Sequence, residues 1–260
     1  MLFRALSGLM HIDSGRITID GKVLHKDINV PPSIGLIIEN AGLYNEFSGI
    51  KNLKLLADIN KKISNTEITK AISDVGLDPN DKRPVRKYSL GMNQRLGIAM
   101  ALLTEPEIMI LDEPVNGLDP QGIVEIRLML KRLAEEKNVT IIISSHILSE
   151  LSELCTDFSI INHGKLIENI SREELMAKCR SYIAIRTDDI NRTAAVIEEK
   201  LGTKQYKVVY GEEIHLYDLL DKIETVSKTI TDSGLILTKL DSKSESLEDY
   251  YLSKVGADNE

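Results

Sequence analysis

Two adjacent carboxylates follow a short apolar run near the middle of the chain. The run occupies residues 108–111 and leads directly into Asp112 and Glu113. Four consecutive apolar residues are typical of a strand buried on both faces of a parallel sheet, and ligands of such sheets bind beyond the carboxyl ends of the strands. A carboxylate held there can bind Mg²⁺, and its neighbour can accept a proton from an attacking water. The alternative interpretation is a strand that ends in a polar loop.

A second apolar run, residues 139–143, leads into two serines and His146. The carboxyl ends of neighbouring parallel strands meet at one edge of the sheet, so this position directs His146 toward the ligand of Asp112 and Glu113. A neutral imidazole there can hydrogen-bond a phosphate oxygen or the attacking water. A single histidine after a strand is otherwise a structural residue.

Two further segments combine a helix start with small residues. Ser89 precedes a helical stretch that contains Leu90, Gly91 and Met92, and Asp119 precedes another. Serine and aspartate are good N-caps, which accounts for both positions without a ligand. The same geometry would let backbone N–H groups near Gly91 approach a phosphate, because a helix N-terminus favours anions.

The pattern around these residues predicts an α/β fold with a parallel sheet. Four apolar runs are continuous rather than alternating and are expected to be strands of that sheet: residues 34–38, 108–111, 139–143 and 158–161. Helical stretches lie between the later runs, and residues 162–164 predict a turn into a hairpin with residues 165–169. The helical pattern after residue 50 predicts an inserted helical subdomain over about residues 50–105, and a shift in composition after residue 180 predicts a small α+β appendage. We therefore expect two domains, residues 1–180 and 181–260.

Composition and charge exclude several classes of protein. With 42% hydrophobic and 28% charged residues, the chain has the composition of a folded globular protein rather than of a disordered one. No run of about 18 apolar residues occurs, so we expect no membrane span. The formal net charge of −8, without a basic excess on one element, predicts no nucleic-acid partner. Two cysteines make no disulfide scaffold and favour a reducing, cytoplasmic setting.

The order of these motifs resembles that of the ATP-binding subunit of an ABC transporter. The segment YSLGMNQR (88–95) resembles the signature motif of that family, IMILDEP (108–114) its Walker B motif, NGLD (116–119) its D-loop and SSH (144–146) its switch histidine. IGLIIE (34–39) resembles the stretch that ends in the Q-loop glutamine. The resemblance covers residues 1 to about 170 and implies a P-loop NTPase-like sheet with an inserted helical subdomain.

The resemblance implies a role for each matching residue. Asp112 would hold magnesium, Glu113 would be the catalytic base and His146 the second catalytic residue. Glu39 stands in the place of the Q-loop glutamine and would be a further oxygen ligand of magnesium; the alternative is a solvated loop acid. The residues that would contact ATP are Ser89, Leu90, Gly91, Met92 and Asp119.

The resemblance also implies cofactors and partners. Two cassettes of this family pair head to tail, and hydrolysis of ATP, bound with Mg²⁺, drives a transmembrane permease. A separate permease and a second cassette are therefore expected, with the chain in the cytoplasm on the inner face of the cell membrane. Leu90, Met92, Glu39 and residues 42–53 are most similar to the branch that includes bacitracin and lantibiotic exporters. The implied function is ATP-powered export, with an antimicrobial peptide such as bacitracin as the substrate.

One motif of the family has no counterpart in these 260 residues, namely the phosphate loop G-x-x-x-x-G-K-[ST]. By the spacing of the family, residues 2–9 match the helix after that loop, so we expect the sequence to be truncated at its N-terminus. The amides and the lysine of the loop hold the phosphates of ATP, and the chain as written is therefore expected to fold poorly and not to hydrolyse ATP alone. The alternative hypothesis is a non-catalytic partner cassette or a truncated remnant.

Overall fold

A computed structural model describes residues 1–31, 34–39, 41–59 and 63–256 of the chain. It contains two compact units, Met1–Glu150 and Leu151–Glu260. The proposed domain boundary after residue 180 stays a prediction. The first unit opens with helix α1 (Leu2–Leu6) and a hairpin of strands β1 (Thr18–Ile19) and β2 (Lys22–Val23). The hairpin turns at Asp20 and Gly21, which both have positive φ, as an Asp-Gly turn requires.

A three-stranded parallel sheet carries the carboxylates. It is formed by β3 (Ile34–Ile37), β4 (Ile108–Asp112) and β5 (Thr140–Ser144), with β4 in the centre. Met109, Ile110 and Leu111 on β4 are almost fully buried, because this strand is covered on both faces. The three predicted strands and their parallel arrangement are confirmed.

The prediction of a fourth parallel strand at residues 158–161 is wrong. This segment belongs to β6 (Asp157–Asn162), which pairs antiparallel with β7 (Lys165–Ser171) in a separate hairpin. Phe158 and Ile160 are buried whereas Ile161 is 43% exposed, so the strand is covered on one face. The tight turn at His163 and Gly164 returns the chain at once, and a hairpin can only be antiparallel. Ser159 already interrupts the apolar run, in keeping with burial on one face only, and the hairpin predicted from the turn at residues 162–164 is confirmed.

The longer helices of the first unit are α2 (Gly49–Ile59), α3 (Asn65–Asp74), α4 (Leu90–Leu102) and α5 (Pro120–Lys137). α4 packs against β3 and α5 against β5, whereas α3 packs on α2 and α4. α3 starts with a capping box between Ser64 and Glu67. α4 lies close against β3, since a Cβ on Gly35 would meet the carbonyl oxygen of Ala101 at 2.4 Å. Close approach at this glycine fixes the distance between the signature helix and the sheet.

The second unit contains a four-stranded antiparallel sheet. After α6 (Leu148–Leu154) and α7 (Arg172–Lys178), the chain forms β8 (Ser181–Thr187), α8 (Ile190–Val196) with a π-helical turn (Ile197–Leu201), β9 (Tyr206–Val209), β10 (Glu213–Leu216), α9 (Ile223–Asp232), β11 (Leu237–Ser244) and α10 (Leu247–Gly256). The strand order is β11-β8-β10-β9. This β-α-β-β-α-β arrangement is the ferredoxin-like split motif. Its core contains Ile183 and Ile185 from β8, Ile214 and Leu216 from β10, and Ile230 from α9.

Candidate active site

The ends of β4 and β5 bring Asp112 and Ser144 side by side. The two residues are register partners in the parallel ladder, so their Cα atoms lie opposite each other. The hydroxyl of Ser144 donates a hydrogen bond of 2.5 Å to Oδ1 of Asp112. A hydrogen bond to a charged acceptor is short and strong, and this one fixes the Asp112 side chain at the edge of the sheet.

Glu113 leaves the strand in an unusual backbone conformation. Its φ of 51° lies in the left-handed region, which costs a non-glycine residue about 1–3 kcal/mol. Its amide donates to the carbonyl oxygen of Ser144 at 3.2 Å and to the hydroxyl of Ser144 at 3.1 Å. The neighbouring strand therefore holds Glu113 in this conformation.

His146 completes a cluster with the carboxylates. Its Nδ1 lies 2.8 Å from Oε2 of Glu113. The side chains are 61% and 33% exposed, so a ligand can reach both. The hydroxyl of Ser145 accepts a hydrogen bond from the amide of Ile147 and fixes the turn after His146. The structure thus brings together Asp112, Glu113 and His146, as their positions after neighbouring strands predicted.

The signature segment and the NGLD segment both begin helices. The hydroxyl of Ser89 accepts a hydrogen bond from the amide of Met92 at the start of α4. The carboxylate of Asp119 accepts one from the amide of Gly122 at the start of α5. Both residues are N-caps, as the local sequence predicted.

These two helix starts also pack against each other. Cδ2 of Leu90 would lie 3.2 Å from a Cβ on Gly117, and Cδ2 of Leu118 would lie 3.7 Å from a Cβ on Gly91. Gly117 has a φ of 76°, so it has both the small size and the backbone freedom that this turn needs. Leu90 stays 48% exposed in spite of this contact and is accessible to a partner.

Glu39 contacts a residue outside the cluster of Asp112, Glu113 and His146. It follows β3, has a φ of 63° and forms an ion pair of 2.5 Å with the guanidinium of Arg4. Both side chains are largely exposed, and such a pair contributes about 1 kcal/mol or less. The carboxylate is therefore occupied by a weak partner, and its role as a magnesium ligand stays a prediction.

Other site chemistries receive no support from the part of the chain that the structure describes. It contains no group of three or more His, Cys, Asp or Glu residues that could hold a metal ion by themselves. None of its helices has the length and the apolar character needed to cross a membrane. Burial raises the pKa of Cys155 to about 11, and burial also raises that of Cys179. Both thiols are therefore protonated at neutral pH and are poor nucleophiles.

Comparison with known proteins decides the family. A family model described as ABC transporter matches residues 1–116. The chain is 39% identical over 254 residues to the bacitracin transport ATP-binding protein BcrA of Bacillus licheniformis, an alignment that covers 97% of this chain and 83% of the relative. The chain belongs to the ATP-binding proteins of ABC transporters. A second BcrA, from Enterococcus faecalis, is 37% identical and covers 86% of this chain and 72% of its own length.

A solved structure agrees with this assignment. The cassette is similar to cbiO1 from Clostridium perfringens, part of the ABC transporter complex cbiONQ, with a TM-score of 0.60 and 27% identity. The match covers 77% of this chain and 78% of the other. The α/β P-loop NTPase fold and the bacitracin branch expected from the sequence are confirmed. ABC cassettes use ATP and Mg²⁺, form dimers and work with transmembrane permeases.

The donor set at the end of β4 fits a magnesium ion that is shared with a nucleotide. Mg²⁺ keeps several waters and is usually held by one or two carboxylates together with phosphate oxygens, rather than by a complete protein cage. Asp112 supplies such a carboxylate, and its orientation is fixed by Ser144.

Sequence reasoning missed the contribution of Ser144. The residue stands in the SSH run, but the local sequence indicates no role for its hydroxyl. Its contact with Asp112 depends on the register between β4 and β5, which no local pattern reveals. A hydroxyl at the last position of a strand next to a carboxylate strand is the signal that could have identified it.

Proposed function

We propose that this cassette, together with a phosphate loop that its 260 residues do not contain, hydrolyses ATP to power the export of an antimicrobial peptide such as bacitracin through a separate permease. The proposal rests on the contact between Glu113 and His146 beside Asp112, at the edge of the sheet where ligands bind. The bacitracin transport proteins among its relatives support the choice of substrate. The cassette would act on the cytoplasmic face of the membrane that holds the permease.

Asp112 and Glu113 have different roles in the proposed reaction. Asp112 would hold Mg²⁺, which neutralises charge on the phosphoryl oxygens during transfer. Glu113 accepts a proton from the attacking water on its carboxylate. His146 fixes that carboxylate through the 2.8 Å contact with Oε2, so the base is oriented before the nucleotide arrives.

The two helix starts would serve a second cassette. Ser89, Leu90, Gly91 and Met92, together with Asp119, would contact the ATP that the other cassette holds. Support comes from the backbone N–H groups at the N-terminus of α4, which favour a phosphate, and from the exposure of Leu90. Because Leu90 packs on Gly117, movement at one segment would be transmitted to the other.

Glu39 would bind the metal only after exchange of its partner. The ion pair with Arg4 is exposed and weak, so a divalent cation can displace the guanidinium at low cost. We propose this exchange as the way in which Glu39 takes the place of the Q-loop glutamine.

Reconstitution with the permease tests the function. The protein is expressed from its own genomic locus, purified with its permease and placed in vesicles, and ATP hydrolysis and peptide transport are measured with and without bacitracin. We expect bacitracin to be transported at the expense of ATP. Glu113→Gln is expected to lower both activities by about 10²–10⁴-fold, whereas Glu107→Gln, directly before the same strand and exposed, is expected to keep them.

Two results would contradict parts of the proposal. ATP hydrolysis that is undiminished in Glu113→Gln would remove Glu113 as the base and would favour the non-catalytic partner cassette. Hydrolysis that is normal but unaffected by bacitracin, without transport of the peptide, would leave the ATPase role and remove the substrate.

A further inference from the structure

We infer that Ser144 is a positioning residue whose hydroxyl couples the magnesium carboxylate Asp112 to the base Glu113. The inference rests on the function proposed above. It gives a role to a residue for which neither the Walker B-like segment (108–114) nor the switch histidine of the SSH segment (144–146) provides one. Ser144 would not touch the reacting atoms; it would act through the two carboxylates.

The hydroxyl of Ser144 makes two hydrogen bonds of opposite sense. It donates to Oδ1 of Asp112 at 2.5 Å and accepts from the amide of Glu113 at 3.1 Å. A hydroxyl is one of the few side-chain groups that can donate and accept through a single atom. Because Asp112 and Ser144 are register partners, the bridge is built into the parallel ladder rather than into a loop.

The bridge determines what each carboxylate offers to a ligand. Engagement of Oδ1 by the hydroxyl holds the Asp112 side chain in one orientation and so defines the oxygen that is presented to a cation. The bond to the Glu113 amide supports a left-handed backbone that persists only where its surroundings hold it in place. Loss of the hydroxyl therefore affects metal binding and the position of the base together.

The carbonyl group of Ser144 cannot replace the hydroxyl. Its oxygen also accepts from the Glu113 amide, at 3.2 Å, so part of the support for Glu113 survives in any side-chain variant. A carbonyl oxygen has no proton to donate to Asp112. The effect of a variant is accordingly expected to be larger on metal dependence than on the fold.

A pair of nearly isosteric variants tests the role of the hydroxyl. Ser144→Thr keeps the hydroxyl and Ser144→Val removes it, while both are β-branched and suit a strand. Thr140→Val, on the same strand and exposed, is the matched control for loss of a hydroxyl. Ser144→Ala, which adds no bulk, is measured alongside in case the valine crowds the strand.

Two measurements are made. The first is ATP turnover with the permease as a function of Mg²⁺ concentration. The second is amide hydrogen exchange at residue 113 in the nucleotide-free protein. For Ser144→Val and Ser144→Ala we expect a loss of about tenfold in turnover, which corresponds to one charge-assisted hydrogen bond. We also expect a higher Mg²⁺ concentration at half activation and faster exchange at residue 113. Ser144→Thr and Thr140→Val should behave as wild type in both measurements.

The outcomes separate this inference from the proposed function. If Ser144→Val or Ser144→Ala leaves both Mg²⁺ dependence and exchange at residue 113 unchanged, the inference is overturned. It is also overturned if Ser144→Thr is as impaired as Ser144→Val, because bulk rather than the hydroxyl would then matter. If the wild type hydrolyses no ATP, the proposed function fails, and the exchange measurement still decides whether Ser144 holds Glu113.

Discussion

In the part of the chain that the structure describes, two glutamate–histidine pairs have almost the same length but different character. In the first unit, Nδ1 of His146 lies 2.8 Å from Oε2 of Glu113. In the second unit, Nε2 of His215 lies 3.1 Å from Oε1 of Glu213. Distance alone does not distinguish them, so the difference lies in how each pair is made and in what surrounds it.

The first pair joins distant parts of the sequence and is open. Glu113 and His146 lie 33 positions apart and meet because two parallel strands end at the same edge. Their side chains are 33% and 61% exposed. The pair therefore keeps oxygen and nitrogen atoms available for water and for a ligand.

The second pair is local and closed. Glu213 and His215 lie two positions apart on β10 and are 13% and 14% exposed. Lys239 donates to the other oxygen of Glu213 at 2.7 Å, and the ring of Tyr182 stacks on His215 at 3.9 Å. Burial works to raise the pKa of Glu213, but the hydrogen bonds from Lys239 and His215 outweigh it and lower the pKa. The contacts of this pair lie within the antiparallel sheet and stabilise it.

A Glu–His contact can take part in chemistry when its surroundings leave its polar atoms accessible to a ligand. A buried network uses its hydrogen-bond donors and acceptors within the fold, whereas an exposed pair at a strand end can offer some of them to a substrate.

Removal of the negative charge at the two glutamates gives the largest contrast. Glu113→Gln is expected to lower ATP turnover by about 10²–10⁴-fold, the usual contribution of a general base. Glu213→Gln is expected to leave turnover per folded molecule unchanged. Steady-state hydrolysis with the permease measures both, and similar losses in the two variants would break the comparison.

Removal of the histidines gives a smaller contrast of the same kind. His146→Ala is expected to lower turnover by about a hundredfold, because the base loses its orientation while its charge remains. His215→Ala should leave the turnover of folded protein unchanged. An effect of His146→Ala on nucleotide affinity alone, with normal turnover, would show that the imidazole does not orient the base.

The closed pair is expected to matter for stability. Glu213→Gln leaves Lys239 without its charged partner and should lower the free energy of unfolding of the second unit by about 1–3 kcal/mol. Urea unfolding followed by circular dichroism measures the change. Glu212→Gln is the matched control, because the neighbouring Glu212 side chain is 73% exposed. Equal stability of the two variants would mean that burial of Glu213 adds nothing.

The smallest expected effect is on the stability of the fold at acid pH. Hydrogen bonds from Lys178 and Tyr250 lower the pKa of Glu168 to about 2. Because the folded pKa lies below the unfolded value, the contribution of this carboxylate is complete above about pH 5 and is lost as the pH falls toward 2. Glu168→Gln should therefore flatten the loss of stability in this range, by about 1 kcal/mol or less. Thermal unfolding at several pH values measures it, with exposed Glu173→Gln as the control; parallel curves would contradict the prediction.

Local sequence was sufficient for several parts of the fold. Ser89 and Asp119 are N-caps because a short polar side chain before a helix bonds the amide three residues later, and this needs no distant partner. The Asp20-Gly21 hairpin follows from backbone preferences of those two residues. The placement of Asp112 and Glu113 at the end of a buried strand follows from four apolar residues in a row.

Other features could not be predicted, because they depend on pairing. The bridge through Ser144 exists only in the observed register of β4 and β5. The stacking of Tyr182 on His215 requires β8 beside β10, a neighbour relation that skips β9 in the sheet order.

Local sequence and the order of the motifs were enough to identify the chemical groups of the site, the positions of most helices and strands, and the family. These are consequences of local preferences and of resemblance. The tertiary structure alone decided which groups meet: that Ser144 bridges Asp112 and Glu113, that His146 reaches Glu113 and that Glu213 is closed off by Lys239. The physical reason is that strand register and burial are settled by packing between distant segments, and the hydrogen bonds of a site are settled with them.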